Sequence, residues 1–538
     1  MPFEDHRCAR DRRERELGEL VRRATKLWRD GVLDREATSA EQLREAVGAG
    51  DWGQVFALFD TSWNEFFHDD PALLLDALER MPDEAIDREP KLRLAREYIG
   101  RNVKGNGYST SYRNSVALEG PLDAVNRLAA WTAQLAGARE AGRLTDAVRL
   151  VRSAQDFLKQ QPTDADPLLS AALPEFHFQW GLALELAGEF DDALSEYNDA
   201  YDWAVSTGHA MIESSSTGTV AFLHALHGRN TLARTWLDRF PDDASDAWWS
   251  SAAAVPARLA EAMLRLDGLD RAGAALVLDQ LTPTQAGERW APYFLLRAAT
   301  ETRTQRLRAV TSELDSHLET IPAARRQEGA GAEYLALTRL ILDTSLQHPA
   351  TAEPAFAGDR PTAEASLLRQ YGALLHALRA HSAGRLKEAR RLAAPLLRVS
   401  GARPRVMIGA LIATADENSP QLEEAVELAL TQSSLDLLFF APLGLRSRLS
   451  QLVATRDPVA AVLIPAEASG EAPGSFSLLS PREWEVAERA AVGETATQIA
   501  AALHISVNTV KTQLRSVYRK LGVTSRPQLF EALQRPGR

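Results

Sequence analysis

Near the C-terminus, Asn508, Lys511, Thr512, Arg515 and Arg519 recur at three- and four-residue steps, which gathers them on one face of a helix. Lysine and arginine donate to phosphate oxygens, and arginine, lysine and asparagine also match base edges in the major groove of DNA. Between positions 505 and 538, seven basic residues stand against a single acidic one, Glu531. A charged helix face is ordinarily just solvated. The elements around this one argue instead for a polyanionic partner.

The opposite face of the same helix, over 506–521, is apolar: Val507, Val510, Leu514, Val517 and Leu521. Ser506 is suited to cap its start, and Gly522 to close it in the left-handed conformation. Upstream, the pattern predicts a short helix over 495–503, with Thr495 and Gln498 spaced as a capping box and Ile499, Ala500 and Leu503 facing inward. Only His504 and Ile505 separate the two, so they must cross steeply, as in a helix-turn-helix. An earlier helix opens at Ser480, with Pro481 at its first position, Glu483 completing a capping box and Trp484 in its core. A fourth opens at Ser525, with Gln528 three residues on, and runs through Leu529, Phe530 and Leu533.

The segments Leu-Ser-Pro-Arg-Glu at 479–483, Gln-Ile-Ala-Ala-Ala-Leu at 498–503, Ile-Ser-Val-Asn-Thr-Val-Lys-Thr at 505–512 and Tyr-Arg-Lys-Leu-Gly-Val at 518–523, with Arg526, closely resemble the LuxR/GerE-type DNA-binding domain. The resemblance spans residues 478–534. It implies a major-groove recognition helix with Lys511, Thr512 and Arg515 facing base edges, and Thr509, Lys520 and Arg526 holding the phosphate backbone or bracing the fold. Ser506, Asn508, Gln513 and Arg519 complete the expected DNA-binding set. Gln513 stands where many members have histidine, and Gln498 where many have glutamate; the former is able to pair with adenine. The resemblance also implies that the fourth helix pairs two such domains through Leu529, Phe530 and Leu533, residues that would equally complete the domain core.

A chain of 538 residues that is 45% hydrophobic can bury a large core in more than one domain. Cys8 is the only cysteine, so no intrachain disulfide is available. The N-terminus has no apolar signal region: positions 5–23 are dense in both charges and read as a solvated helix. No run approaches the length of a membrane span. A cytoplasmic location is expected. The net charge of −12 is unevenly spread: from 478 to 538 nine basic residues face five acidic ones, a balance of +4 that leaves −16 elsewhere. A basic end on an acidic body is the pattern of a polyanion binder whose body repels DNA.

Residues 1–464 lack alternating strand patterns and carry a recurring frame instead. Trp180, Gly188, Phe190, Ala193, Tyr197 and Ala200 resemble a tetratricopeptide repeat, with glycine in the turn and small residues where helices approach. The frame of glycine, a small residue five on and an apolar residue nine on recurs at Gly142/Ala147/Val151, Gly228/Ala233/Leu237 and Gly384/Ala389/Ala393, and more loosely at Gly50/Val55/Phe59 and Gly268/Gly273/Val277. The expected fold is therefore all-α: a right-handed tetratricopeptide-like α-solenoid over 1–464, a flexible linker over 465–477, and a four-helix LuxR-type domain over 478–538. Further breaks are expected at 101–115 and 350–362.

Other chemistry finds little purchase. MalT-like regulators join a P-loop ATPase to a helical body and this type of DNA-binding end. Here no Gly-x-x-x-x-Gly-Lys-Ser/Thr occurs, and 100–107 fails its spacing, so the chain resembles that architecture without the motor, and no cofactor is expected. No receiver-like alternation of strand and helix is present. The histidines, His224 and His227 included, show no carboxylate or cysteine at metal-ligand spacing along the chain, so no metal site is expected. The pairs Asp69-Asp70 and Asp191-Asp192 fall at helix starts, where acidic residues favour the dipole. Trp180, Tyr197, Tyr201 and Trp203 either line an effector groove or fill the space between helices. The expected function is transcriptional regulation without enzymatic activity, by a homodimer that binds double-stranded promoter DNA, engages RNA polymerase and responds to a small-molecule or protein effector. The rival reading is an interaction scaffold whose body binds a peptide or signalling protein and gates access to DNA.

Overall fold

The computed structural model describes residues 38–86, 123–346, 366–460 and 481–521 with a few isolated positions, interrupted at 162–166, 242–246, 302–303, 399–402, 492–493 and single residues. All elements are helical, and no strand occurs among the described residues. Helices of eight residues or more are numbered below in chain order. The expected N-terminal helix over 5–23, the expected breaks at 101–115 and 350–362 and the expected linker over 465–477 lie outside the described residues.

The chain divides at Ala85 into two compact units. In the first, α1 (Ser39–Ala49), α2 (Trp52–Asp69) and α3 (Pro71–Arg80) pack on one another. Local chemistry sets their ends: Thr38 and Glu41 form a reciprocal capping box, and Asp70 accepts from the Leu73 amide at 3.0 Å. Leu43, Phe66, Leu74 and Leu78 fill the space between them.

The second unit begins with antiparallel pairs: α4 (Ala124–Glu140) with α5 (Leu144–Leu158), α6 (Pro167–Ala187) with α7 (Phe190–Thr207), α8 (Ala210–His227) with α9 (Asn230–Leu237), and α10 (Ser250–Asp267) with α11 (Arg271–Leu278). The glycine frame explains the first three of these turns. Gly142, Gly188 and Gly228 all adopt positive φ, and Ala147, Ala193 and Ala233 are fully buried where the paired helices close on each other. Tyr197 packs flat against Gly181, where an added Cβ would lie 3.0 Å from the ring.

The chain then doubles back through α12 (Trp290–Thr300), α13 (Thr304–Thr320), α14 (Gly329–Ser345), α15 (Leu367–Ser382), α16 (Leu386–Leu397), α17 (Pro404–Thr414), α18 (Pro420–Gln432) and α19 (Leu443–Arg456). Helix α14 packs on both α12 and α6, and α17 packs on α8. The earlier turns receive this return. A Cβ on Gly142 would lie 2.7 Å from Ala324, and one on Gly228 2.6 Å from the Cβ of Arg405. In nearest-neighbour stacking each repeat touches only the next. Here the second run also lies against the turns of the first.

Buried ion pairs hold the two runs in register. Arg289 donates to Glu185 at 3.0 and 2.7 Å, and the same carboxylate accepts from the Tyr197 hydroxyl at 2.7 Å. Arg405 pairs with Asp267, which also accepts from Asn230 Nδ2 at 2.6 Å. Each such ion is costly to desolvate, and the matched partner with extra hydrogen bonds is what makes its burial tolerable.

Candidate nucleic-acid interface

Three helices build the C-terminal site: α20 (Pro481–Ala491), α21 (Ala496–Leu503) and α22 (Val507–Leu521). The predicted capping box starts α21: the Gln498 amide donates to Thr495 Oγ1 at 3.3 Å and the Thr495 amide to Gln498 Oε1 at 2.8 Å. Ser506 caps α22, accepting from the Thr509 amide at 3.0 Å. Between the helices the chain turns tightly, with the Ile505 amide donating to the Ala500 carbonyl at 3.1 Å. Arg489 reaches from α20 to Glu494 at 3.1 Å and ties the start of this turn to the first helix, a pair the sequence reading did not single out.

The apolar stripe docks as its spacing requires. Val510 and Val517 are fully buried against Val486, Ala487 and Ala490 of α20 and Ile499 and Ala500 of α21, with Val507 and Leu514 at the margin. Leu529 is fully buried in the same cluster, which places it in the domain core, away from any exposed pairing stripe. Phe530 and Leu533 lie outside the described residues.

The opposite face of α22 is exposed at Asn508, Lys511, Thr512 and Arg515, as are Ser506 and Thr509 at its start. Neither Lys511 nor Arg515 pairs with a carboxylate among the described residues, so both cations are available to a ligand. Thr509 and Thr512 are already engaged. Thr509 Oγ1 lies 2.8 Å from the Ser506 hydroxyl, and Thr512 Oγ1 donates to the Asn508 carbonyl at 2.9 Å. Gln513 differs from expectation: it lies on the flank, half-buried, with Oε1 shielded from solvent and unpartnered. In this conformation its amide cannot present both groups to adenine. The side chains of Trp484, Arg519 and Lys520, and the residues Ser480 and Arg526, lie outside the described set. The domain also meets the body: Arg308 of α13 lies 3.5 Å from Glu485 of α20, on a different helix from the exposed cations.

Residues 477–532 match the GerE family model, bacterial regulatory proteins of the luxR family. No curated protein and no solved structure matches the chain. The segment is a LuxR-family helix-turn-helix domain on a body whose described elements are all helical, which supports a DNA-binding transcription regulator. No helix among the described residues is long and apolar enough to cross a membrane.

Elsewhere the structure separates the sequence's other candidates. Trp180 and Tyr197 are fully buried in the main core, with Trp180 Nε1 donating to Thr132 at 3.2 Å; sealed from solvent, neither lines an open groove. Tyr201 and Trp203 are half-buried, and Tyr201 meets Trp236 edge-on at 4.9 Å. Asp191 lies 3.3 Å from His227 Nε2 and accepts from Arg403 at 3.2 Å; these two neighbours outweigh partial burial and hold its carboxyl well below the usual range. Asp192 pairs with Arg152. These acidic residues are structural fasteners between helix pairs. The absence of carboxylates near the histidines holds only along the chain: folding brings Asp191 to His227, and Glu196 to His177 at 2.7 Å.

Proposed function

We propose that this protein is a sequence-specific bacterial transcriptional activator of the cytoplasm, in which α22 enters the major groove of promoter DNA. The observation that carries the reading is the two-sided recognition helix, buried along Val510 and Val517 and open along Asn508, Lys511, Thr512 and Arg515. Lys511, Thr512 and Arg515 read base edges; Ser506, Thr509, Arg519, Lys520 and Arg526 hold phosphates. A module of this size reads only a few base pairs, so two copies on paired half-sites supply the specificity. The tetratricopeptide-like body receives a small molecule or protein effector, and the DNA-bound dimer contacts RNA polymerase.

The test is binding of full-length protein to genomic fragments, compared with a Lys511→Ala, Arg515→Ala double variant. The variant is expected to lose site selection while keeping its far-ultraviolet circular dichroism, because both side chains are exposed. Each good base contact is worth about 1–3 kcal/mol of discrimination. Unchanged selectivity would overturn the assignment.

A further inference from the structure

We propose that His177 of α6 and Glu196 and Asp199 of α7 form a binding site for a divalent transition-metal ion of the manganese-to-zinc series. The three residues come from two antiparallel helices joined at Gly188, and their donor atoms all lie within 4.8 Å of one another. His177 Nδ1 is 2.7 Å from Glu196 Oε2. Glu196 and Asp199, three residues apart, share a face of α7. A metal bonded to nitrogen and oxygen at about 2.0–2.2 Å holds its ligand atoms about 3–3.5 Å apart, so only small side-chain movements are required.

The donor set selects the ion. An imidazole nitrogen disfavours magnesium and calcium, which take oxygen ligands, and suits manganese, iron, cobalt or zinc. His177 and Glu196 are buried whereas Asp199 is exposed, so the cluster is closed on one side and open to water on the other. The second oxygen of Glu196 is already held: Gln155 Nε2 of α5 donates to Oε1 at 2.6 Å, which aims Oε2 at the imidazole.

Charge balance points the same way. The nearby cation Arg152 is spent on Glu189 and Asp192, and Asp199 pairs with no cation among the described residues. The single imidazole of His177 leaves the paired carboxylates Glu196 and Asp199 with an excess of negative charge. A bound cation compensates it.

The experiment titrates full-length protein, stripped with chelator, with Co²⁺, followed by calorimetry and visible absorption. One Co²⁺ per chain is expected, with ligand-field bands and no thiolate charge-transfer band, which separates this site from Cys8. Asp199→Asn, at an exposed position, and Gln155→Ala should each weaken binding about tenfold or more with unchanged circular dichroism. Absence of bound Co²⁺, a thiolate band, or unchanged affinity in Asp199→Asn would overturn the proposal.

Discussion

His224 shows how far one buried side chain can tie stability to pH. Its ring is buried with Nδ1 unpartnered, and burial, together with the charges of Arg229 and His227, lowers its pKa to about 4. The unfolded chain takes up a proton near pH 6.5, which the folded protein refuses until about pH 4. Between those values the unfolded state binds more protons, so stability falls as pH falls through that window. Urea unfolding at pH 7 and pH 4.5 should show this loss, and His224→Gln should show less of it; equal losses would refute the assignment. Arg289 gives a larger effect. Replacing it with methionine strands Glu185 in the core and should cost about 3–5 kcal/mol, measured by urea unfolding at pH 7. Arg289 is not conspicuous in the sequence, because its partners Glu185, Tyr197 and Thr219 come from helices far apart along the chain.

At the scale of elements, the glycine turns separate backbone conformation from packing. Gly208 and Gly228 both hold positive φ, +71° and +81°. Nothing lies within 4 Å of a Cβ built on Gly208, whereas one on Gly228 meets Arg405 at 2.6 Å. Gly208→Ala should therefore cost only the left-handed penalty of about 1–2 kcal/mol, and Gly228→Ala distinctly more. Equal losses in melting experiments would mean that the return run does not press on this turn. The frame of glycine, small residue and apolar residue was legible at Gly142, Gly188 and Gly228 because it acts within one helix pair. It was misleading at Gly268, where φ is −82° and Leu269 takes the positive value of 68° instead. The caps at Thr495 and Ser506 were legible for the same local reason: donor and acceptor lie three residues apart.

For the whole molecule, charge is the property that acts at long range. The C-terminal segment from 478 carries +4 and the remainder −16. Full-length protein should bind DNA with an affinity that falls steeply with salt, as counterions are released from neutralised phosphates. The isolated 465–538 fragment should select the same fragments yet bind non-specific DNA more tightly at low salt, because it lacks the acidic body. Equal non-specific affinity would show that the body exerts no repulsion. The sequence by itself determined the helical class, the two-sided helix over 507–521, its Ser506 cap and the charge asymmetry, since periodicity, capping and net charge are properties of neighbours along the chain. Only the tertiary structure decided that Trp180 and Tyr197 are core, that Leu529 faces inward, that the chain returns along its own turns, and that His177 meets Glu196 and Asp199. Those outcomes depend on which helix faces are pressed together, and a one-dimensional spacing does not carry that information.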